Sequence, residues 1–418
     1  MEKNLAMLIL NCLLLFSPPG LGQTRTKELE EQRSEHDKQL APEKNTATEQ
    51  FLLRLKDGKI LERINYGYNG LRAKLGGLVT GGGFAAGPEY FREDLARGSV
   101  LVRASAQISF KNYQKYETQF TLPKLLGGKA FFDTRATHRN YPSINYYGPG
   151  PDSSKDGRVD YRLEDTALDA ALGVSPARFI KVGGAVGFLA VNIGPGTDKR
   201  FASAETIYTP AQVPGIDRQT NFLRYGAFAQ FDWRNDPFGP KGGGNYVVQY
   251  TRFEDQDLGS HDFNLLDVDL QHYIGLFNRT RVIALRAHTQ LTDSRAGQRV
   301  PFYLQPVIGG SDDLRGYRPF RFSGNNSLAL SAEYRWEIFA GCDGALFVDG
   351  GKVFSHRGEL NFRNLESSVG FGLRFNARNR PFIRLDVGFS QEGVQVWFKF
   401  NDIFQQRPLG TSGAQPFY

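Results

Sequence analysis

Cysteine is nearly absent from this chain, with two among 418 residues, Cys12 and Cys342. Cys12 lies inside an N-terminal apolar stretch, so the folded body holds one thiol and no intramolecular disulfide. Histidine is scarce as well. The six (His36, His138, His261, His272, His288 and His356) form no His-x-x-x-His pair, and none stands beside a cysteine, which argues against a metal site. Long apolar runs are also missing. After the N-terminus no stretch reaches the roughly 18 apolar residues that a membrane helix needs, and mean hydropathy is −0.41. No Gly-x-Ser-x-Gly elbow occurs, so a fused patatin-type lipase is excluded. The triple glycines at 81–83 and 242–244 precede no helix and read as turns rather than phosphate cradles. No cofactor and no catalytic constellation is implied. His272 and His288 fall on adjacent expected strands, where they read as ordinary wall residues.

What the chain has in quantity is glycine, 47 residues, and aromatics, 13%. Both suit many tight turns and aromatic girdles at membrane interfaces. Period-two alternation is the dominant pattern. In Ser327–Ile338, Leu328, Leu330, Ala332, Tyr334, Trp336 and Ile338 share one face, while Ser327, Ser331, Glu333, Arg335 and Glu337 share the other. A strand with lipid on one side and a wet lumen on the other needs that division. In Ala345–Phe354, Leu346 and Val348 face one way and Asp349 the other. The net charge of +7 comes from basic residues that alternate along strands, among them Arg103, Arg224, Arg335, Arg374, Arg384 and Lys399. A charged lumen and anionic lipopolysaccharide explain this better than nucleic acid does.

Sixteen strands are expected from Leu71 onward, the first at Leu71–Thr80 and the last at Val394–Ile403. The fold class is therefore all-β, a sixteen-stranded antiparallel transmembrane β-barrel. An even count keeps both termini periplasmic and puts the long polar inserts Asn140–Gly157, Gly194–Thr220 and Val300–Asn326 outside the cell. Residues 1–22 read as a signal peptide, with Lys3, an apolar core at Leu5–Phe16 and small residues near Gly22. Residues 23–64 read as a charged periplasmic tether with a short helix, 65–404 as the barrel and 405–418 as a tail. Cys342 is expected as a small residue in a turn.

A polar loop, Gly309-Gly310-Ser311-Asp312-Asp313-Leu314-Arg315-Gly316-Tyr317, stands ahead of the strands that carry Glu333 and Asp349. It resembles the BamA/TamA superfamily of outer-membrane assembly and translocation barrels, the bacterial surface antigen family, whose signature is an (Ile/Val/Leu)-Arg-Gly-(Phe/Tyr) tip on a loop folded into the barrel. The resemblance implies a latch of Arg315, Gly316 and Tyr317 with Glu333 and Asp349 as acidic partners. The turn holding Asn235, Asp236, Pro237, Pro240 and Gly242 resembles the family's periplasmic turn. The aromatic last strand, with Phe398, Phe400 and Phe404, resembles the signal by which barrels are recognised for assembly. No segment could supply the family's periplasmic POTRA domains. The implied function is insertion or translocation of outer-membrane proteins, with substrate engaged where the first strand meets the last. A passive channel or structural barrel is the alternative. Neither is an enzyme. The implied setting is the outer membrane of a Gram-negative-type cell, as a monomer among lipid and lipopolysaccharide. Unfolded outer-membrane proteins or periplasmic factors are the implied partners, and nucleic acid is not.

Overall fold

In a computed structural model of the chain, the described residues are 68–339, 341–377, 380–400 and Leu409. The expected signal peptide, tether and tail, and Phe404 with them, lie outside these. Strands β1 (Leu71–Gly77), β2 (Phe84–Leu95), β3 (Val100–Ser109), β4 (Gln114–Leu125) and β5 (Ala130–Tyr146) open the wall. It continues through β6 (Val159–Ala177), β7 (Ile180–Pro195), β8 (Phe222–Asp232), β9 (Gly243–Asp255), β10 (Phe263–Leu276) and β11 (Arg281–Ser294). After a long loop containing the two-residue strands β12 (Val307–Ile308) and β13 (Phe322–Ser323), it resumes with β14 (Asn326–Phe339) and β15 (Cys342–Phe354). Strands β16 (Glu366–Ala377), β17 (Arg380–Ser390) and β18 (Gly393–Lys399) complete it. The sixteen wall strands form one sheet in which each pairs antiparallel with its sequence neighbour, and β12 pairs β13 apart from it.

The sheet is apolar outside and polar inside. Leu168, Val186, Leu346, Phe371, Val396 and Phe398 are exposed on its outer face, an array that is stable only against lipid. The inner face buries charges that satisfy one another between strands one or two places apart in the sheet. Arg139 of β5 donates to Asp165 of β6, Arg224 of β8 lies 2.5 Å from Asp169 of β6, and Arg286 of β11 grips Asp269 of β10 with two bonds of 2.9 Å. The alternation seen in the sequence is thus the radial direction of the barrel.

The ends differ from expectation. Strand β5 runs to Tyr146 because its ladder with β6 continues past a bulge after Tyr141, pairing Ile144 with Tyr161 and Tyr146 with Val159. The inserts expected to be polar bury apolar side chains. Val213, Ile216, Phe302, Tyr303 and Leu304 from the loops join Tyr146, Tyr161, Phe222 and Phe263 in one cluster at the long-loop end. Loop residues whose spacing shows no period still find a shared dry volume there, and hydrophobic attraction needs no period. Cys342 is the first residue of β15 and is buried, not a turn residue. His272 and His288 point to opposite sides of the wall, since His272 lies opposite Leu285 and His288 opposite Asp269 in the same ladder. His288 faces the lumen, 3.2 Å from Asp267.

The wall is weakest where it should close. Strands β1 and β18 have seven residues each, fewer than any other wall strand, and among the described residues no ladder joins them. They are nonetheless adjacent. The Phe84 and Phe400 rings have centroids 5.4 Å apart, and Lys399 Nζ donates to Thr80 Oγ1 at 3.3 Å.

Candidate functional site

The loop between β11 and β14 folds into the lumen, and its backbone explains how. Gly309 and Gly310 take φ of +115° and +116°, which reverses the chain after β12. The Asp313 carboxylate accepts from the Gly309 amide at 2.9 Å and the Leu314 amide at 2.6 Å, and the Tyr317 amide donates to the Leu314 carbonyl at 3.0 Å. This tight turn projects Arg315 at its tip. Leu314 and Tyr317 pack beneath it with Ile308, Phe322, Ala329 and Val353.

Arg315 is fully buried and reaches two strands at once. Its Nε and Nη2 donate to the two Asp349 oxygens at 2.9 and 2.7 Å, a bidentate fork, and Nη1 donates to Glu333 at 2.5 Å. The Arg315 backbone amide adds a bond to Asp349 at 3.1 Å, and Nη2 one to Ser331 at 3.2 Å. The guanidinium lies 3.4 Å over the Phe347 ring. These partners follow from register. Ser331 pairs with Asp349 and Glu333 with Phe347 across the β14–β15 ladder, so four inward side chains form a square around one guanidinium. Burial opposes the arginine's charge, but Asp349 and Glu333 outweigh it and push its pKa upward.

The pairing extends beyond the expected trio. Glu333 also accepts from Arg335 at 2.8 Å and from Arg374 of β16 at 2.8 Å. Arg374 donates to Asp386 of β17 at 2.6 Å, and Arg384 Nε lies 3.2 Å from the same carboxylate. Arg384 then donates to the Ser311 carbonyl at 2.8 Å and to Asp312 at 3.2 Å, which leads back to the loop. Four guanidiniums and four carboxylates thus form a circuit from loop to wall to loop. Glycine makes room for it. A Cβ on Gly388 would stand 2.3 Å from the Arg315 carbonyl oxygen, and one on Gly316 would stand 2.6 Å from Ser368 Cβ.

The circuit meets the seam. Trp397 of β18 donates its indole N–H to the Arg315 carbonyl at 2.7 Å, and Ser390 donates to the Gly316 carbonyl at 2.8 Å. On the other side Thr80, just past β1, donates to Asp312 at 3.3 Å and lies 3.1 Å from the Ser311 hydroxyl. Lys399 is 4.0 Å from Asp312. Burial would raise the Asp312 pKa, but Lys399 and Arg384 outweigh it and hold it at about 2, although half of that side chain is open to the lumen. One loop therefore touches edge strand β18 and the turn that follows edge strand β1.

The Omp85 superfamily domain matches residues 99–401. The chain belongs to the Omp85 superfamily. No curated protein matches it in sequence. Its fold is similar to that of BamA from Haemophilus ducreyi lacking POTRA domains 1–3, with a TM-score of 0.58 at 14% identity over 79% of this chain and 69% of that one. It is also similar to CdiB from Escherichia coli, with a TM-score of 0.56 at 12% identity over 80% of this chain and 62% of that one. The chain thus spans about two thirds of the length of either structure.

The latch predicted for this Omp85 barrel, Arg315 with Glu333 and Asp349, is assembled in the structure, with Gly316 against Ser368 and Phe389 and Tyr317 donating to Glu366 at 2.7 Å. The Asn235–Gly242 turn is built as its residues suggest. The Asn235 amide donates to the Gly242 carbonyl at 3.0 Å, the Asn235 side chain accepts from the Lys241 amide at 2.9 Å, and Asp236 accepts from the Phe238 amide at 2.9 Å. Arg234 props the turn by donating to the Pro237 carbonyl at 3.2 Å. Phe398 faces outward and packs edge-on against Phe400 at 5.0 Å, on the seam edge. Sequence reasoning missed Asp386, Trp397, Thr80 and Asp312 as partners. Arg374, Arg384 and Lys399 were legible as inward residues, but which carboxylate each meets depends on register.

Proposed function

We propose that this Omp85 barrel resides in a bacterial outer membrane and inserts or translocates polypeptide at the β1–β18 seam. The observation that carries this reading is the loop that bridges the seam, gripping edge strand β18 through Trp397 and Lys399, β17 through Ser390, and the turn after edge strand β1 through Thr80. Two short edge strands offer free backbone donors and acceptors, and an incoming extended segment can pair with them. Left alone, such an edge is a liability. A loop that ties the edges keeps the wall shut at rest, and its release frees a template.

This work needs no catalytic side chain, so we read the protein as non-enzymatic and without a cofactor. Unfolded outer-membrane proteins are its proposed cargo, and a single barrel in lipid and lipopolysaccharide its proposed working form. The apolar cluster at the long-loop end supports this reading over that of a passive water-filled channel, because it occupies space that a pore would leave wet.

A disulfide across the seam tests the proposal. A Cβ on Gly76 would lie 3.6 Å from Phe400 Cβ, within the separation a disulfide spans, and the φ of +149° at Gly76 strains any side chain there, so the Gly76→Cys single variant is the control for that strain. Gly76→Cys with Phe400→Cys, in a Cys342→Ala background, should close the seam when oxidised and release it when reduced. Cargo insertion into liposomes, scored by protease protection, should stop in the oxidised protein and return on reduction, with each single variant active throughout. Equal insertion by the oxidised double variant and wild type would rule the seam out.

A further inference from the structure

At the long-loop end a cavity of about 520 Å³ opens over the seam. Thr80 and Gly81 after β1 and Gln395 of β18 contribute to its wall, together with Lys111, Arg158 and Arg318 from three different loops. Those three cations are held in place by neutral acceptors, and Asp198 on the same wall acts on Arg158 only from beyond ion-pair distance. Lys111 Nζ donates to the Gly81 carbonyl at 2.8 Å, and Arg318 donates to the Lys155 carbonyl at 3.3 Å. Arg158 donates twice to the Asn145 side-chain oxygen, at 3.1 and 2.7 Å, and lies 3.8 Å over the Phe201 ring. Among the described residues no carboxylate lies within 4.0 Å of any of the three. The cavity's fourth cation, Arg200, is matched by Asp198 at 2.7 Å. Asp160 is fully buried and accepts from Ser143 and the Asp198 amide.

Most inward arginines of the wall meet carboxylates, whereas these three cations share one cavity and have only neutral acceptors within bonding distance. Ordinary solvated surface cations are long and free, whereas Arg158 is fixed by two bonds and a ring, which lowers the ordering cost of binding. Two guanidiniums and an ammonium suit an anion that carries more than one charge and several acceptor oxygens. The volume is in the range of a small-molecule site and exceeds what one phosphate fills. Tyr113, Tyr147 and Phe320 give apolar walls, while Ser143 and Asn145 give neutral polar groups. We infer that this cavity binds the phosphate groups of a phosphorylated saccharide. Such groups reach the site either on a glycolipid of the surrounding leaflet or on a free sugar. The inference is independent of what the seam does.

Calorimetry on the folded barrel in non-ionic detergent tests it. The probes are a deacylated bis-phosphorylated glucosamine disaccharide, the same disaccharide without phosphate, and inorganic pyrophosphate. The phosphorylated disaccharide should bind, more tightly than pyrophosphate, and the unphosphorylated one should not. Arg158→Gln with Arg318→Gln should weaken it at least about tenfold, with the heat-modifiable gel band unchanged. Lys111→Gln, at an exposed side chain, gives a second variant that does not depend on the double variant folding. The barrel is also placed in neutral phosphatidylcholine nanodiscs with the acylated form of the disaccharide. Tighter binding of that form assigns the ligand to a lipid, and equal binding assigns it to a free sugar. Unchanged affinity in folded variants, or binding that ignores the phosphates, would overturn the inference.

Discussion

The long-loop end of the lumen and the latch within it are held by opposite means. Along β5–β10 the long-loop end is packed with aromatic and aliphatic side chains, Phe302 and Tyr303 sitting among Tyr146, Tyr161 and Phe222. Along β14–β18 the interior is a circuit of arginines and carboxylates around Arg315. Apolar packing is non-directional and accepts repacking at nearly constant volume. A buried ion pair is intolerant, because removing one partner strands the other without water. The strands follow the same division. Strand β6 has 19 residues paired on both flanks, whereas β18 has seven and is paired on one. The apolar side is suited to holding shape, and the ionic side to holding one position of one loop.

Arg315→Ala should break the ionic side most. Glu333 and Asp349 would lose a shared partner in a dry site, at a cost of about 3–5 kcal/mol. The loop of residues 309–326 should become open to protease while heat-modifiable migration shows a barrel still folded. Arg315→Lys should recover little of this, since an ammonium cannot reproduce the fork to Asp349. Equal protease rates in wild type and Arg315→Ala would show that the pairing holds nothing.

The apolar side should respond by volume rather than by chemistry. Phe302→Ala removes a side chain that is 3% exposed, and urea titration should record a loss of about 3 kcal/mol. Leu304→Met at a neighbouring buried site should cost less than about 1.5 kcal/mol. The contrast to measure is therefore Leu304→Met against Arg315→Lys. If both are mild, the two sides do not differ in the way described.

A smaller effect comes from pH. Burial raises the Asp313 pKa from its usual carboxylate value to about 6. The amides of Leu314 and Gly309 and the charge of Arg286 oppose that shift, while Asp312 adds to it. A carboxyl whose pKa is higher in the fold than in the open loop favours docking below its ordinary pKa of about 4. That contribution fades as pH rises through 6. Loop proteolysis should therefore be slower at pH 4.5 than at pH 7.5. Asp313→Asn keeps an acceptor for both amides and should remove the difference. A profile that is flat in the wild type would contradict the assignment. Deleting residues 23–48 should have the smallest effect. That segment is rich in charge and poor in apolar residues, so urea titration of the barrel should be unchanged.

Most of the wall was legible because membrane strands state their radial direction in every second residue, as in Ser327–Ile338. The latch was legible through its loop motif and through the inward parity of Glu333 and Asp349. The Arg374–Asp386–Arg384 relay was not, because parity gives a face but not a height, and height comes from register. The extension of β5 was hidden by Pro142 and the bulge after Tyr141, which interrupt the alternation before the ladder resumes. The apolar cap was hidden because its residues come from separate loops, and no local period marks side chains that meet only in three dimensions.

The bond from Trp397 to the Arg315 carbonyl has a practical consequence. The chain has three tryptophans, of which Trp233 packs against Phe231 and Trp336 stacks on Tyr334 along the outer face of β14. Trp397 alone sits on the edge strand with its indole tied to the loop tip. Replacing the other two with phenylalanine would leave a single native chromophore whose emission wavelength and quenching change when either partner moves. Loop and edge could then be followed in time, in one unlabelled molecule, by light alone.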